Sequence, residues 1–468
     1  MKTAEQYVES LRARALVLWV DGERVANVVD HPKVRPAVEA IAATYALAHD
    51  PATRDLATAH STLIDARVNR FTHLFTSGED LRAKLEMQRV LGRITGTCFQ
   101  RCVGMDGLNA LYLAGWQSPG HDAFRVWLAH VQREDLTING AMTDPKGDRS
   151  KRPIEQPDAF VRVVERRPDG VVIRGAKMHQ TGAANAHASL VMPGQALRPG
   201  EEAFAIACAI PVDAPGVSMV LGRQPSDERK ATADAGNARY GGQECIVFFE
   251  DVFVPRERVF LDAGANAGDL AACNELLDAF AGFHRASYGG CKPGNLDALV
   301  GASALLAKKQ GTRDATHVRD KLVEMVHLTE TIHALGLAAS AKHTRHASGI
   351  HQVDALLANV CKHHVTSIPY EIVRLAEDLA GGLMATMPSI ADLDHPELGP
   401  KLRAVIGDEE RAKLLRFIEW MTYGSGAVPL RIECMHGAGS PQAQRIVIER
   451  RTDWEDKMAV ARRLAGIE

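Results

Sequence analysis

The sequence predicts an α+β fold in three parts: an N-terminal helical domain, a middle β-barrel or sandwich domain, and a C-terminal helical bundle. Three observations carry this expectation. Apolar residues recur at helical spacing over roughly the first 135 residues, short apolar runs bounded by Pro, Gly and Asp follow, and long Ala/Leu-rich helical stretches come last. The divisions fall at residues 1–136, 137–275 and 276–468.

Each element has a local reason. Thr3 and Gln6 form a capping box that opens the first helix. Val34–Tyr45, Leu81–Leu91 and His121–Val131 are further helices, separated by polar turns such as Ser77-Gly78-Glu79-Asp80. From Thr137, Phe160–Glu165 and Val171–Arg174 flank Arg167-Pro168-Asp169-Gly170, a hairpin signal. Ser189–Met192, Ala203–Ile210, Val217–Leu221 and Ile246–Val254 read as more strands. After Pro255 the strands stop, and Leu276–Ser287, Leu296–Lys309, Asp314–His346, Val353–Leu379 and Glu409–Tyr423 read as an antiparallel bundle.

Composition narrows the function. Hydrophobic residues at 46% and charged residues at 24% suit a globular core that needs no disulfide staples. The 55 basic and 58 acidic side chains give a net charge of −3, which argues against a nucleic-acid partner. No apolar run approaches the roughly 18 residues of a membrane span. The opening MKTAEQYVESLRARAL lacks an apolar signal core, so a cytoplasmic chain with eight cysteines is expected, in a compartment where thiols serve metal or redox chemistry more often than disulfides.

Two cysteine segments stand out. Cys98 and Cys102, four apart in a near-helical context, would share a helix face. Far along the chain come His284, Tyr288 and Cys291, with Gly289-Gly290 expected to break the helix and swing Cys291 toward His284, and Pro293 to stop it continuing. Three sulfurs and one imidazole suffice for a four-coordinate centre, zinc or iron–sulfur alike. Cys208, Cys245, Cys273, Cys361 and Cys434 lack ligand-like spacing and read as small buried hydrophobes. His343, His346, His351, His363 and His364 read as solvated helix surface.

Three loops offer polar cradles. Residues 137–150 combine small residues and hydroxyls with Lys146 and Arg149, and Lys177–Ala183 adds another hydroxyl and amide cluster. In His436-Gly437-Ala438-Gly439-Ser440-Pro441, Ser440 can cap a helix whose N-terminus would receive a phosphate. There is neither a strand-borne G-x-G-x-x-G nor a phosphate-loop motif.

Together GTCFQRC (96–102), MTDPKGDRS (142–150), AKMHQTG (176–182), HRASYGGCK (284–292) and RIECMHGAGSPQAQ (431–444) resemble the 4-hydroxybutyryl-CoA dehydratases, also called vinylacetyl-CoA Δ-isomerases. These belong with the 4-hydroxyphenylacetate 3-monooxygenase flavoproteins and share the acyl-CoA dehydrogenase-like fold. The resemblance implies a homotetramer with FAD held partly between subunits, and radical dehydration of 4-hydroxybutyryl-CoA to crotonyl-CoA. It implies that Cys98, Cys102, His284 and Cys291 ligate a 4Fe–4S cluster. By the same resemblance His284 and Glu433 are the bases, Tyr288 and Lys292 assist the leaving hydroxyl and neutralise charge, and Glu250 is a weaker catalytic candidate. Met142, Thr143, Lys146, Asp148, Arg149, Ser150, Gln180 and Thr181 would meet the flavin, with Gly437, Ala438, Gly439 and Ser440. Two other readings compete: a flavin-dependent phenol monooxygenase, which has no use for these cysteines, and a Cys3His zinc protein, which leaves the flavin-like loops unexplained.

Overall fold

A computed structural model describes residues 1–467 and follows the order helices, strands, helices. Thr3 Oγ1 accepts from the Gln6 amide and Gln6 Oε1 from the Thr3 amide, so α1 (Ala4–Arg12) opens on the expected box. There follow α2 (Arg35–Leu47), α3 (Gly78–Thr95), capped by Ser77, α4 (Cys102–Ala114) and α5 (His121–Arg133). This part is not purely helical. Leu18–Val20 (β1) and Glu23–Arg24 (β2) are strands, and Thr58–Ser61 pairs with Ala66–Asn69. In β1, buried Leu18 and Val20 flank exposed Trp19, an alternation too short to register as a strand in sequence.

The middle region holds β3 (Ile138–Ala141), β4 (Arg162–Arg167), β5 (Gly170–Thr181), β6 (Ala188–Val191), β7 (Ile206–Pro211), β8 (Val217–Leu221), β9 (Glu244–Pro255) and β10 (Val259–Asp262). They form a six-stranded sheet, β2-β1-β8-β9-β5-β4, and a four-stranded sheet, β10-β7-β6-β3. The hairpin turn lies where expected, with Arg167 opposite Gly170. Strands do not stop at Pro255: β10 follows it, and the short strands Thr344–Arg345 and His351–Gln352 pair much later. Val163, Ile173, Met219, Val247 and Phe249 of the larger sheet share a core with Val191, Ile206, Cys208 and Ile210 of the smaller. The two sheets therefore pack face to face as a sandwich. Leu190, Ala207 and Ala209, on the smaller sheet's other face, pack against α4 and α5.

After the strands come α6 (Asp269–Lys309), α7 (Thr316–Ala341), α8 (Ala355–Val365), α9 (Ile368–Ala380), α10 (Glu409–Thr422) and α11 (Pro441–Arg451). The stretch expected as one helix over Val353–Leu379 is two, because Pro369 starts a new one. No helix among the described residues is long and apolar enough to cross a membrane.

The largest departure from expectation is α6. Gly289-Gly290 and Pro293 do not break it; one helix of 41 residues runs through them. The glycines serve close packing. A Cβ on Gly289 would lie 2.6 Å from Gly336 Cα of α7, and one on Gly290 would lie 2.5 Å from the Leu85 carbonyl oxygen of α3. Pro293 has no N–H for the carbonyl of Gly289, and His333 Nδ1 of α7 donates to that oxygen at 2.8 Å instead. Replacing His333 with Leu strands this buried carbonyl and is expected to destabilise the protein by about 1–3 kcal/mol. Equilibrium denaturation checks this, and an unchanged midpoint would remove His333 from the account of how α6 tolerates its proline.

Candidate active site

The continuity of α6 explains the site. His284, Tyr288, Cys291 and Lys292 stand at i, i+4, i+7 and i+8, one stripe of a continuous helix, so no break is needed to bring Cys291 beside His284. Cys98 and Cys102 are placed differently from expectation. After α3 ends at left-handed Gly96, residues 97–101 are non-helical, with Gln100 at φ 64°, and Cys102 is the first residue of α4. The two thiols therefore meet across a loop and a helix start, not along one helix face. The α4 terminus has no side-chain cap, and Cys102 is its first residue, so that thiol starts from the positive end of the helix. Burial pushes the thiols of Cys98 and Cys102 well up, and the negative charges they would carry raise them further, Cys102 acting on Cys98 and Cys291 on Cys102.

His284 is held on several sides. Its ring stacks on Phe280 at 5.3 Å and meets Tyr288 edge-on at 5.6 Å, while Nδ1 lies 2.9 Å from Asp106 Oδ2. Asp106 is fully buried and accepts from Lys84 Nζ at 2.5 Å and from Ser287 Oγ at 2.9 Å. Burial alone would raise its carboxyl, but Lys84 and His284 bring it below the usual carboxylate range.

Next to the thiols lies a second buried charge group. Glu433 follows a π-helical turn, Val428–Ile432, whose widened geometry frees carbonyls for side chains. Lys292 Nζ donates to Pro429 O at 2.8 Å and to Glu433 Oε2 at 2.9 Å. Lys362 Nζ donates to Cys434 O at 2.6 Å, and both ammonium groups face the Tyr288 ring, at 5.2 and 4.7 Å. Burial would depress Lys292, but Glu433 and the neighbouring thiols hold it well above the ordinary lysine range. Glu433 also hydrogen-bonds Glu244, whose carboxyl burial and the Glu433 charge push far up, favouring its neutral form. Thr181 Oγ1 donates to Glu244 at 2.8 Å.

Thr181 links this centre to the three loops. Met178 N donates to Thr143 O at 2.9 Å, and buried Lys177 ties Met142 O, Met192 O and Asp144 together. His179 is lowered by burial and then by the charges of Lys146 and His436, so the 142–150, 176–182 and 436–440 segments converge. Gln180 Nε2 reaches Met178 O and Thr143 O, leaving its buried Oε1 without a partner. Thr97 Oγ1, Gln100 Oε1 and Gln243 Nε2 are likewise buried and open. Buried polar atoms are normally satisfied, so this cleft has the chemistry of a seat for a polar ring. Ala438 O accepts from Arg285 Nε at 3.0 Å, Gly437 packs against Tyr288, and Ser440 caps α11. Lys146, Asp148, Arg149 and Ser150 are exposed on the loop rim, with Asp148 and Ser150 bonded to each other.

Glu250 is not part of the site. It is exposed in the bulge of β9 between Phe249 and Val252, six residues beyond Glu244 and so roughly 20 Å along the strand. The histidines expected as solvated helix surface also differ: His343 and His351 face each other at 3.0 Å, and with His346 they sit in the turn and short strands after α7. His363 and His364 do lie on a helix, α8. Sequence reasoning missed Asp106, Glu244, Lys84 and Lys362. Asp106 had a usable signal, a lone charge in an apolar helix four residues after Cys102. Glu244, at a strand start, had none.

Residues 3–261 match the model of the 4-hydroxyphenylacetate 3-hydroxylase N-terminal region, and 273–466 that of its C-terminal region. The chain is 47% identical to 4-hydroxybutyryl-CoA dehydratase/vinylacetyl-CoA-Delta-isomerase of Clostridium aminobutyricum, over 100% of both chains. It superposes on the oxygen-tolerant archaeal 4-hydroxybutyryl-CoA dehydratase of N. maritimus with TM-score 0.96 and 45% identity, covering 100% of this chain and 95% of that one. Against the oxygenase component of 4-hydroxyphenylacetate 3-monooxygenase complexed with FAD, the TM-score is 0.87 at 25% identity, over 99% and 98%. Glutaryl-coenzyme A dehydrogenase, at TM-score 0.52 and 12% identity over 80% of each chain, shares the fold alone, which is therefore acyl-CoA dehydrogenase-like.

The buried lysine beneath Tyr288 has a measurable signature. Burial lowers Lys362 to about 8, against 10.5 unburied, so between those values the unfolded chain binds more protons than the folded one. Stability contributed at this position is accordingly expected to rise with pH from about 8 to 10.5 and to be flat below. Chemical denaturation at several pH values should show this rise in the wild type and lose it in Lys362→Met; identical slopes in both would refute the assignment.

Proposed function

We propose that this chain, which belongs to the 4-hydroxyphenylacetate 3-hydroxylase family, dehydrates 4-hydroxybutyryl-CoA to crotonyl-CoA by a radical route and isomerises vinylacetyl-CoA, using FAD and a 4Fe–4S cluster. The observation that carries the reading is the stripe of His284, Tyr288, Cys291 and Lys292 facing Cys98, Cys102 and Glu433. A phenol monooxygenase has no role for three thiols there. Among the described residues no three His, Cys, Asp or Glu side chains close on a single metal ion.

The donor set fits the cluster. Cys98, Cys102 and Cys291 supply thiolates, His284 offers a ring nitrogen while Asp106 occupies the other, and Cys102 starts from the positive end of α4. The open polar atoms of Gln100, Gln180 and Gln243, with Thr181 and the backbone of 142–150 and 437–440, fit a flavin edge. Bound there, the flavin would supply one-electron chemistry and the cluster a Lewis-acidic iron for the departing hydroxyl.

The chain's own residues handle protons. Glu433, held at Oε2 by Lys292, takes the C2 proton of the thioester. Burial and the Glu433 charge favour the neutral form of Glu244, which makes it the poorer proton acceptor of the two carboxyls. His284 Nε2 would accept the C3 proton only once it no longer ligates iron. One proton returns to C4 and the other leaves with the 4-hydroxyl as water, so the reaction balances without net oxidation. Tyr288 and Lys292 stabilise negative charge on the leaving side. The enzyme is proposed to work in the cytoplasm as a homotetramer.

Protein purified without oxygen is expected to hold about four irons and four sulfides per chain with FAD, and to convert 4-hydroxybutyryl-CoA. Cys291→Ala should lose iron and dehydratase activity while retaining part of its FAD; full activity would overturn the ligand set. Glu433→Gln should keep both cofactors and lower kcat by about 10²–10⁴-fold. Unchanged turnover in that variant would assign the C2 proton to another group.

A further inference from the structure

Among the described residues, Asp106 is the buried carboxylate that hydrogen-bonds His284. Its contacts dictate proton positions. Lys84 Nζ, a donor only, lies 2.5 Å from Oδ1 and also reaches Phe283 O at 3.0 Å. Ser287 Oγ donates to Oδ2 at 2.9 Å and His284 Nδ1 lies at the same distance from that oxygen. A carboxylate paired with an ammonium only accepts hydrogen bonds, so the hydrogen between Oδ2 and Nδ1 belongs to the imidazole. Phe280 packs on the ring's face and Tyr288 meets it edge-on, flanking the orientation in which Nδ1 points to Asp106.

We propose that Asp106, anchored by Lys84, is the positioning residue that locks His284 in its Nδ1–H tautomer, leaving Nε2 as the one open nitrogen toward the three thiols. This rests on the cluster reading above for its consequence, but the lock itself is a property of the chain. An Asn at 106 would reverse it. Lys84 would take the amide oxygen, the amide nitrogen would then face Nδ1 as a donor, and the ring would have to carry its proton on Nε2, where it cannot ligate. Removing Lys84 as well would free the amide to turn and restore the lock.

Two readouts test this on the full chain. In metal-stripped protein labelled with ¹⁵N-histidine, the imidazole shifts of His284 report its tautomer. In anaerobic holoenzyme, pulsed electron paramagnetic resonance reports histidine coupling to the reduced cluster, and chelator challenge reports retention. Asp106→Asn is expected to move the proton to Nε2, abolish the coupling and weaken iron retention by ~10- to 100-fold. K84M/D106N should regain the Nδ1–H tautomer, the coupling and the retention. Should the single variant not fold, two backgrounds without a buried lone charge decide instead: K84M/D106N keeps an acceptor at 106 and K84M/D106L has none, so only the first should show Nδ1–H. An Nδ1–H tautomer that survives in Asp106→Asn or in K84M/D106L overturns the proposal. If the wild type holds no iron, the cluster reading fails, while the tautomer measurement still decides the role of Asp106.

Discussion

The close backbone contact along the middle of α6 is the constraint on which the rest depends. Gly289 against Gly336 and Gly290 against Leu85 bring three helices nearer than side chains would allow. With nothing between the backbones, α6 stays one continuous helix over the length that carries histidine, tyrosine, thiol and lysine. A bend of the kind its proline usually causes would rotate Cys291 and Lys292 away from His284. The helix therefore acts as a rigid rail, and its position against α3 and α7 sets the position of the chemistry.

The second organising feature is the distribution of buried charge. Lys84 with Asp106 and Lys292 with Glu433 are buried or nearly buried ion pairs on opposite ends of one stripe. Such pairs contribute little net stability, because desolvation offsets attraction, yet losing either partner leaves a lone buried charge. Lys362 has no carboxylate and instead meets a carbonyl and the Tyr288 ring. The interior around Tyr288 is thus positively biased, which suits a centre that gathers thiolates and passing negative charge.

What could be read from sequence was what repeats locally. Helical spacing located α2, α5 and α10 within a few residues, and the Arg167–Gly170 turn fell where its Pro-Asp-Gly signal put it. The pairing of distant cysteine segments was legible because both carried unusual residue types. The fate of Gly289-Gly290 was not, since the same dipeptide breaks a helix in water and packs one against a neighbour in a core. Nor was Glu244, whose carboxyl is pushed up first by burial and then by Glu433, almost two hundred residues away. Asp106 lay between these cases: its isolation among apolar residues was visible, its partner Lys84 was not.

Pairing of Leu18 with Met219 has a consequence for synthesis. At typical translation rates the two residues leave the ribosome roughly 10–40 s apart. During that interval β1 and β2 have only each other, and the edge of β1 that β8 will cover, with apolar Leu18, Trp19 and Val20, remains available to any other chain. A nascent protein of this kind has reason to engage a holding chaperone early. It also follows that trimming the first two dozen residues would expose the β8 edge of a finished sheet, converting a folded enzyme into one prone to self-association.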